Sequence, residues 1–161
     1  MDSLVEERAR TLIKRSTERG MKITTAESCT GGLIAAALTD IPGASATFTH
    51  GFVTYSNQAK QDMLDVSTDD LERYGAVSAE VAIAMVNGAC RKAEADLALA
   101  VTGIAGPGGG TAEKPVGLVY IAAATQTSSR VYRHLYPQGS RSFIRLLTVR
   151  SALTHLLHEM A

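Results

Sequence analysis

The run Asp96-Leu97-Ala98-Leu99-Ala100-Val101 constrains this chain more than any other stretch. After its first residue it is apolar without a break, so a strand made from it has no face to show to water. Such a strand belongs in the middle of a sheet, with other structure packed on both sides. Directly after it comes Thr102-Gly103-Ile104-Ala105-Gly106-Pro107-Gly108-Gly109-Gly110, a glycine-rich loop at the strand's carboxyl end. In open α/β sheets that end is where ligands bind.

A second junction of the same kind lies at Thr24-Thr25-Ala26-Glu27-Ser28-Cys29-Thr30-Gly31-Gly32. A β-prone segment precedes it, and Leu33-Ile34-Ala35-Ala36-Ala37-Leu38, rich in strong helix formers, follows. The stretch therefore reads as strand, tight turn and helix start. The turn offers two hydroxyls, a thiol, a carboxylate and two glycines that let a ligand approach the backbone. Helix N-terminal N–H groups nearby suit an anion.

The remaining elements follow from periodicity and turn chemistry. Residues 3–19 predict a helix with Gly20 beyond its end, residues 21–26 a strand and residues 29–40 a helix closed by Asp40-Ile41-Pro42-Gly43. Residues 47–55 predict a strand. A short helix capped by Ser56 or Asn57 runs through Leu64, and another spans 69–74. Ser78 opens a long helix to about Ala93. Residues 116–124 and 130–136 predict two strands around a hairpin loop. The last helix, about 140–159, turns Phe143, Ile144, Leu147, Leu153, Leu156 and Leu157 inward. This order predicts an α/β sandwich with a mixed sheet and helices on both faces. At 161 residues, without internal repeat or low-complexity linker, the chain predicts one domain, 1–161.

Sixteen basic residues balance sixteen acidic ones, which argues against a dedicated nucleic-acid or membrane-surface protein. No apolar run is long enough to span a bilayer. The N-terminus, Met1-Asp2-Ser3-Leu4-Val5-Glu6-Glu7, has no signal-peptide pattern. Cys29 and Cys90, the two cysteines, lack metal-like spacing. A cytoplasmic protein with free thiols is expected.

Candidate chemistry collects at the strand ends. If the strands ending at Glu27, Tyr55 and Val101 are parallel neighbours, Ser28, Lys60 and the glycine-rich loop converge on one crevice. Locally, the plain reading of Ser28 is a helix N-cap; it can also be a nucleophile facing the helix dipole. The plain reading of Lys60 is a solvated surface residue. As a general base it needs desolvation or a cationic neighbour. Cys29 is the rival nucleophile. His155 and His158 read as a solvated feature at the end of the last helix, and His50 and His134 as packing residues in strands. The glycine-rich loop lacks the Lys-Ser/Thr of a nucleotide-binding P-loop; it is either a flexible crossover or a backbone cradle for phosphate or ribose. Arg141 and Arg145 share a helix face and could hold a phosphate.

Five motifs together resemble the CinA C-terminal domain family. They are Thr25-Ala26-Glu27-Ser28-Cys29-Thr30-Gly31-Gly32, Gly51 through Lys60, Gly75-Ala76-Val77-Ser78, Gly103-Ile104-Ala105-Gly106-Pro107 and Lys114-Pro115-Val116-Gly117. The resemblance implies a three-layer α/β/α fold like an anticodon-binding domain, with a mixed sheet of five or six strands. It implies a nicotinamide mononucleotide deamidase of pyridine nucleotide salvage. Such an enzyme hydrolyses the carboxamide to nicotinate mononucleotide and ammonia, with no metal and no cofactor.

By motif position Ser28 is the expected nucleophile, Lys60 its base and Tyr55 an assisting hydroxyl. Thr30, Gly31 and Gly32 are expected to supply oxyanion and substrate contacts, Thr102, Gly103 and Gly106 to line the nucleotide pocket, and Arg145 to take the phosphate. The resemblance also implies a homo-oligomer, a dimer or higher, with no nucleic-acid or membrane partner. Longer family members carry an N-terminal molybdopterin-binding-like domain, whose activity is not expected of this chain. The alternative is a non-catalytic nucleotide-binding or interaction module linked to competence or DNA damage.

Overall fold

A computed structural model describes residues 1–161. Six helices, α1 (Ser3–Glu18), α2 (Leu33–Thr39), α3 (Asn57–Leu64), α4 (Thr68–Tyr74), α5 (Ala79–Ala93) and α6 (Arg141–Met160), pack on one five-stranded sheet. Its strands are β1 (Ile23–Glu27), β2 (Phe48–Val53), β3 (Leu97–Gly103), β4 (Leu118–Thr125) and β5 (Ser129–Leu135), in the spatial order β2-β1-β3-β4-β5. The β1 strand pairs in parallel with both β2 and β3, whereas β4 and β5 run antiparallel to their neighbours. The expected three-layer sandwich with a mixed sheet is what forms, with five strands.

Alternation along the central strands sets the two layers apart. Leu97, Leu99 and Val101 of β3, with Val119 and Ile121 of β4, face one core built with α1, α2 and α6. Ala98 and Ala100 of β3, with Ala122 and Ala124 of β4, face the other, built with α3, α4 and α5. The apolar run is thus a large–small alternation. Its alanine face admits α5 closely, and α5 in turn admits the end of α3 at Gly88, where a Cβ would lie 2.1 Å from the Leu64 carbonyl oxygen. All of Leu97 to Val101 is buried, as a strand covered on both faces must be.

Four local expectations are corrected. The helix expected over 29–40 begins only at Leu33, because Gly31 and Gly32 hold positive φ values of +58° and +104° and delay the helical backbone. Phe143, expected to point inward, is exposed on the first turn of α6, beyond the sheet. His50 lies on the edge strand β2, exposed rather than packed in, with Nδ1 2.9 Å from the Thr49 hydroxyl. His155 is not solvated; it is half-buried, its Nε2 2.8 Å from Nε2 of His134 on β5 and its ring stacked on Tyr132. No helix is long and apolar enough to cross a membrane.

Candidate functional site

Parallel pairing of β2, β1 and β3 brings their carboxyl ends side by side. The Ser28 N–H donates to the Val101 carbonyl at 3.1 Å, and the Thr54 N–H donates to the Glu27 carbonyl at 2.8 Å. The three strand ends are therefore laced together just where the polar turns begin. Lys60 arrives from α3, whose N-cap Ser56 accepts from the Ala59 N–H at 3.0 Å.

Lys60 is only 1% exposed, and Ser28 8%. The Lys60 ammonium donates to Ser28 Oγ at 2.9 Å and to the Thr54 carbonyl at 2.8 Å. No carboxylate pairs with it. Burial without a counter-charge penalises the ammonium, so the Lys60 pKa falls from 10.5 to about 8. A lysine tuned to that range can lose its proton near neutral pH, and the group it touches is a serine hydroxyl.

These side chains open on a cavity of about 270 Å³. Of the expected site residues, the structure brings Ser28, Tyr55, Lys60, Thr102, Gly103 and Gly106 to its walls, joined by Asn57, Ala76, Val77 and Arg141. Thr102 is fixed by donation from its hydroxyl to the Ala76 carbonyl at 2.8 Å. No acidic side chain lines the cavity. The N–H groups of Ala105, Gly106, Gly108 and Gly109, which line it, donate to nothing in the chain. With Arg141 they make this wall suited to an anion.

The other expected residues take different positions. Arg145 does not line the cavity: its Nε and Nη2 donate to the carbonyls of Cys29 and Thr30, both at 3.0 Å. The arginine at the cavity is Arg141, donating to the Gly106 carbonyl at 2.8 Å and to the Tyr55 hydroxyl at 2.6 Å. The two share a helix face but straddle the Ser28 turn, one behind it and one over the mouth. Tyr55 is 61% exposed, and its hydroxyl engages Arg141 rather than Ser28 or Lys60.

The Thr30 side chain is buried away from the cavity, its hydroxyl donating to Glu27 at 2.7 Å, and Gly31 and Gly32 shape the turn without lining the wall. Ser28 is not the cap of α2. That work falls to Glu27, whose carboxylate accepts the N–H groups of Ile34 and Ala35 at 2.8 and 2.9 Å. Cys29 is buried beside Glu27, and burial pushes its thiol up to about 11. It is a thiol at neutral pH, and so a poor nucleophile. No cluster of three or more His, Cys, Asp or Glu side chains suits a metal.

The model of the CinA C-terminal domain matches residues 5–160. This chain belongs to the CinA C-terminal domain family. A CinA-like protein of Syntrophobacter fumaroxidans is 53% identical over 140 residues, 87% of this chain and 33% of that protein. One from Geotalea daltonii is 56% identical over 141 residues, 88% of this chain and 34% of that protein. The chain thus spans about a third of the length of the curated relatives it matches. Among solved structures, the competence/damage inducible protein CihA from Agrobacterium tumefaciens superposes with a TM-score of 0.96 at 50% identity, covering 98% of this chain and 96% of that one. A CinA superfamily protein from Escherichia coli gives 0.92 at 38% identity, covering 98% and 91%. The CinA fold is therefore shared closely over nearly the whole chain.

Proposed function

We propose that this chain is a serine–lysine amidohydrolase that converts nicotinamide mononucleotide to nicotinate mononucleotide and ammonia. The observation that carries the reading is the buried Lys60 amine, 2.9 Å from Ser28 Oγ and free of any carboxylate. A structural lysine has no reason to be buried without a counter-charge, and a capping serine has no need of an amine. Joined, they have the geometry of an activated nucleophile.

The steps follow from that geometry. Neutral Lys60 takes the Ser28 proton as Oγ attacks the carboxamide carbon. Charge collects on the carboxamide oxygen, which preorganised N–H donors stabilise. The Lys60 ammonium then returns the proton to the departing nitrogen, the C–N bond breaks, and ammonia leaves. Water, deprotonated by Lys60, attacks the ester left on Ser28. Its cleavage releases the carboxylate product and restores the hydroxyl.

Arg141 and the unpaired amides of the 105–110 loop take the phosphate, in place of Arg145. Binding energy from that end positions the carboxamide at Ser28. Tyr55 holds Arg141 over the cavity mouth.

The test is a covalent one. Protein quenched in acid during turnover of nicotinamide mononucleotide carries the acylated mass on the peptide containing Ser28. An adduct on the peptide of a Ser28→Ala variant, or turnover with no adduct under conditions that slow deacylation, sinks the mechanism.

A further inference from the structure

The Ser28 turn is held from behind by an arginine that the chemistry above does not use. Arg145 on α6 has no carboxylate partner, and both hydrogen bonds of its guanidinium go to main-chain carbonyls, those of Cys29 and Thr30 at 3.0 Å each. Across a planar trans peptide the C=O and the next N–H point in opposite directions. Drawing the Cys29 carbonyl toward α6 therefore directs the Thr30 N–H away from α6. Most of the turn's other amides are committed, Ser28 N–H to Val101, Gly31 N–H to Ser28 and Leu33 N–H to Thr30, and the unpaired N–H of Gly32 belongs to a half-exposed residue. The N–H groups of Cys29 and Thr30, the two that follow the nucleophile in the chain, donate to no other residue.

Leaving two amides unpaired in a buried turn is costly unless something else is to accept from them. The turn is also locked on its far side, where Glu27 accepts from the Thr30 hydroxyl. Gly31 is part of the fit: its φ is +58°, and a Cβ there would lie 3.3 Å from Arg145 Nη2. Arg145 on the Cys29 carbonyl polarises the peptide group that carries the Thr30 N–H, which becomes a better donor; the Cys29 N–H shares its peptide group with the Ser28 carbonyl, which accepts from Gly31.

We propose that Arg145 is a positioning residue for an oxyanion site formed by the N–H groups of Cys29 and Thr30. The inference rests on the amidase reading. Arg145 acts only through the backbone, touching neither the substrate phosphate nor the reacting atoms. Its effect belongs to the transition state, where charge gathers on the carboxamide oxygen, rather than to nucleotide binding.

Steady-state kinetics of Arg145→Met and Arg145→Lys with nicotinamide mononucleotide test this, alongside binding of nicotinate mononucleotide by calorimetry and a circular-dichroism check of folding. The expected result for Arg145→Met is a kcat lower by about 10–100-fold, near the low end for loss of one oxyanion donor. KM and product affinity stay within about twofold, as for an interaction made only in the transition state. Added guanidinium ion restores part of the rate. The single-pronged Arg145→Lys falls between.

A loss that appears in KM and product affinity would return Arg145 to the phosphate. An unchanged kcat, or a loss tracking unfolding that guanidinium does not rescue, would overturn the positioning role while the amidase reading stands. If the wild-type protein itself releases no ammonia, the amidase reading falls and this inference falls with it.

Discussion

Lys60 is the residue on which the chemistry turns, and its burial makes opposite predictions for activity and stability. Activity needs the neutral amine, so kcat/KM should rise with pH and level off above about 8. A profile flat from pH 6 to 10 would contradict that assignment. For stability, the folded pKa of about 8 lies below the ordinary 10.5. Between these values the unfolded chain binds the proton and the native chain does not, so stability rises with pH across the window. Below about 8 the whole penalty is present, on the order of 3 kcal/mol for a shift of this size before relaxation.

Lys60→Met, which removes the charge but leaves Ser28 Oγ and the Thr54 carbonyl without their donor, should therefore be inactive yet about 1–2 kcal/mol more stable at pH 7. That advantage should shrink as pH approaches 10.5; denaturant melts at several pH values check it. Cys29→Ala should keep most of the activity, because the buried thiol stays protonated to about 11.

At the scale of the element, the turn between β1 and α2 carries the most information. The sequence marks it as polar, glycine-bearing and poised between strand and helix, and so locates the site. It does not reveal who caps the helix. Ser28 has the right residue type, but two glycines in left-handed backbone push the helix start to Leu33, and Glu27 reaches across to take the orphan N–H groups. Local propensity cannot register a cap supplied from the far side of a turn.

The same limit applies to α6. A four-residue spacing says that Arg141 and Arg145 share a face, but only the packing of α6 over the turn says which reaches the cavity. Glu27→Ala leaves the Thr30 hydroxyl and two helix N–H groups unpaired. It should cost about 2–4 kcal/mol in urea unfolding, from several buried donors without partners, and should lower kcat as the turn loosens. A loss under 0.5 kcal/mol would mean that water replaces the carboxylate.

For the whole molecule, the central place of β3 and the layering were legible because the Leu97–Val101 run can exist only as a covered central strand, whereas the full strand order comes only from the pairing. The parallel neighbours, once assumed, predicted the convergence of Ser28, Lys60 and the glycine-rich loop that the sheet realises. Less legible was the asymmetry of the two cores, since alternation of Leu with Ala reads as uniform apolarity until α5 is seen lying on the alanine face. Ala100→Leu should accordingly destabilise by about 1–3 kcal/mol or more through overpacking against α5. A Tm at or above the wild-type value would show slack in that layer. The pairing of His134 with His155 was out of reach for a related reason: it joins an edge strand to the last helix across a contact that no local pattern encodes.

The amidase reading itself meets its most direct test in ammonia release from nicotinamide mononucleotide by the purified protein, with a chelator present, compared with Ser28→Ala. Chelator-insensitive release by the wild type and a loss of about 10³-fold or more in the variant are expected. Equal release by both proteins would contradict the reading. So would a folded wild-type protein that binds the nucleotide and releases nothing, which would leave the cavity as a nucleotide-binding module.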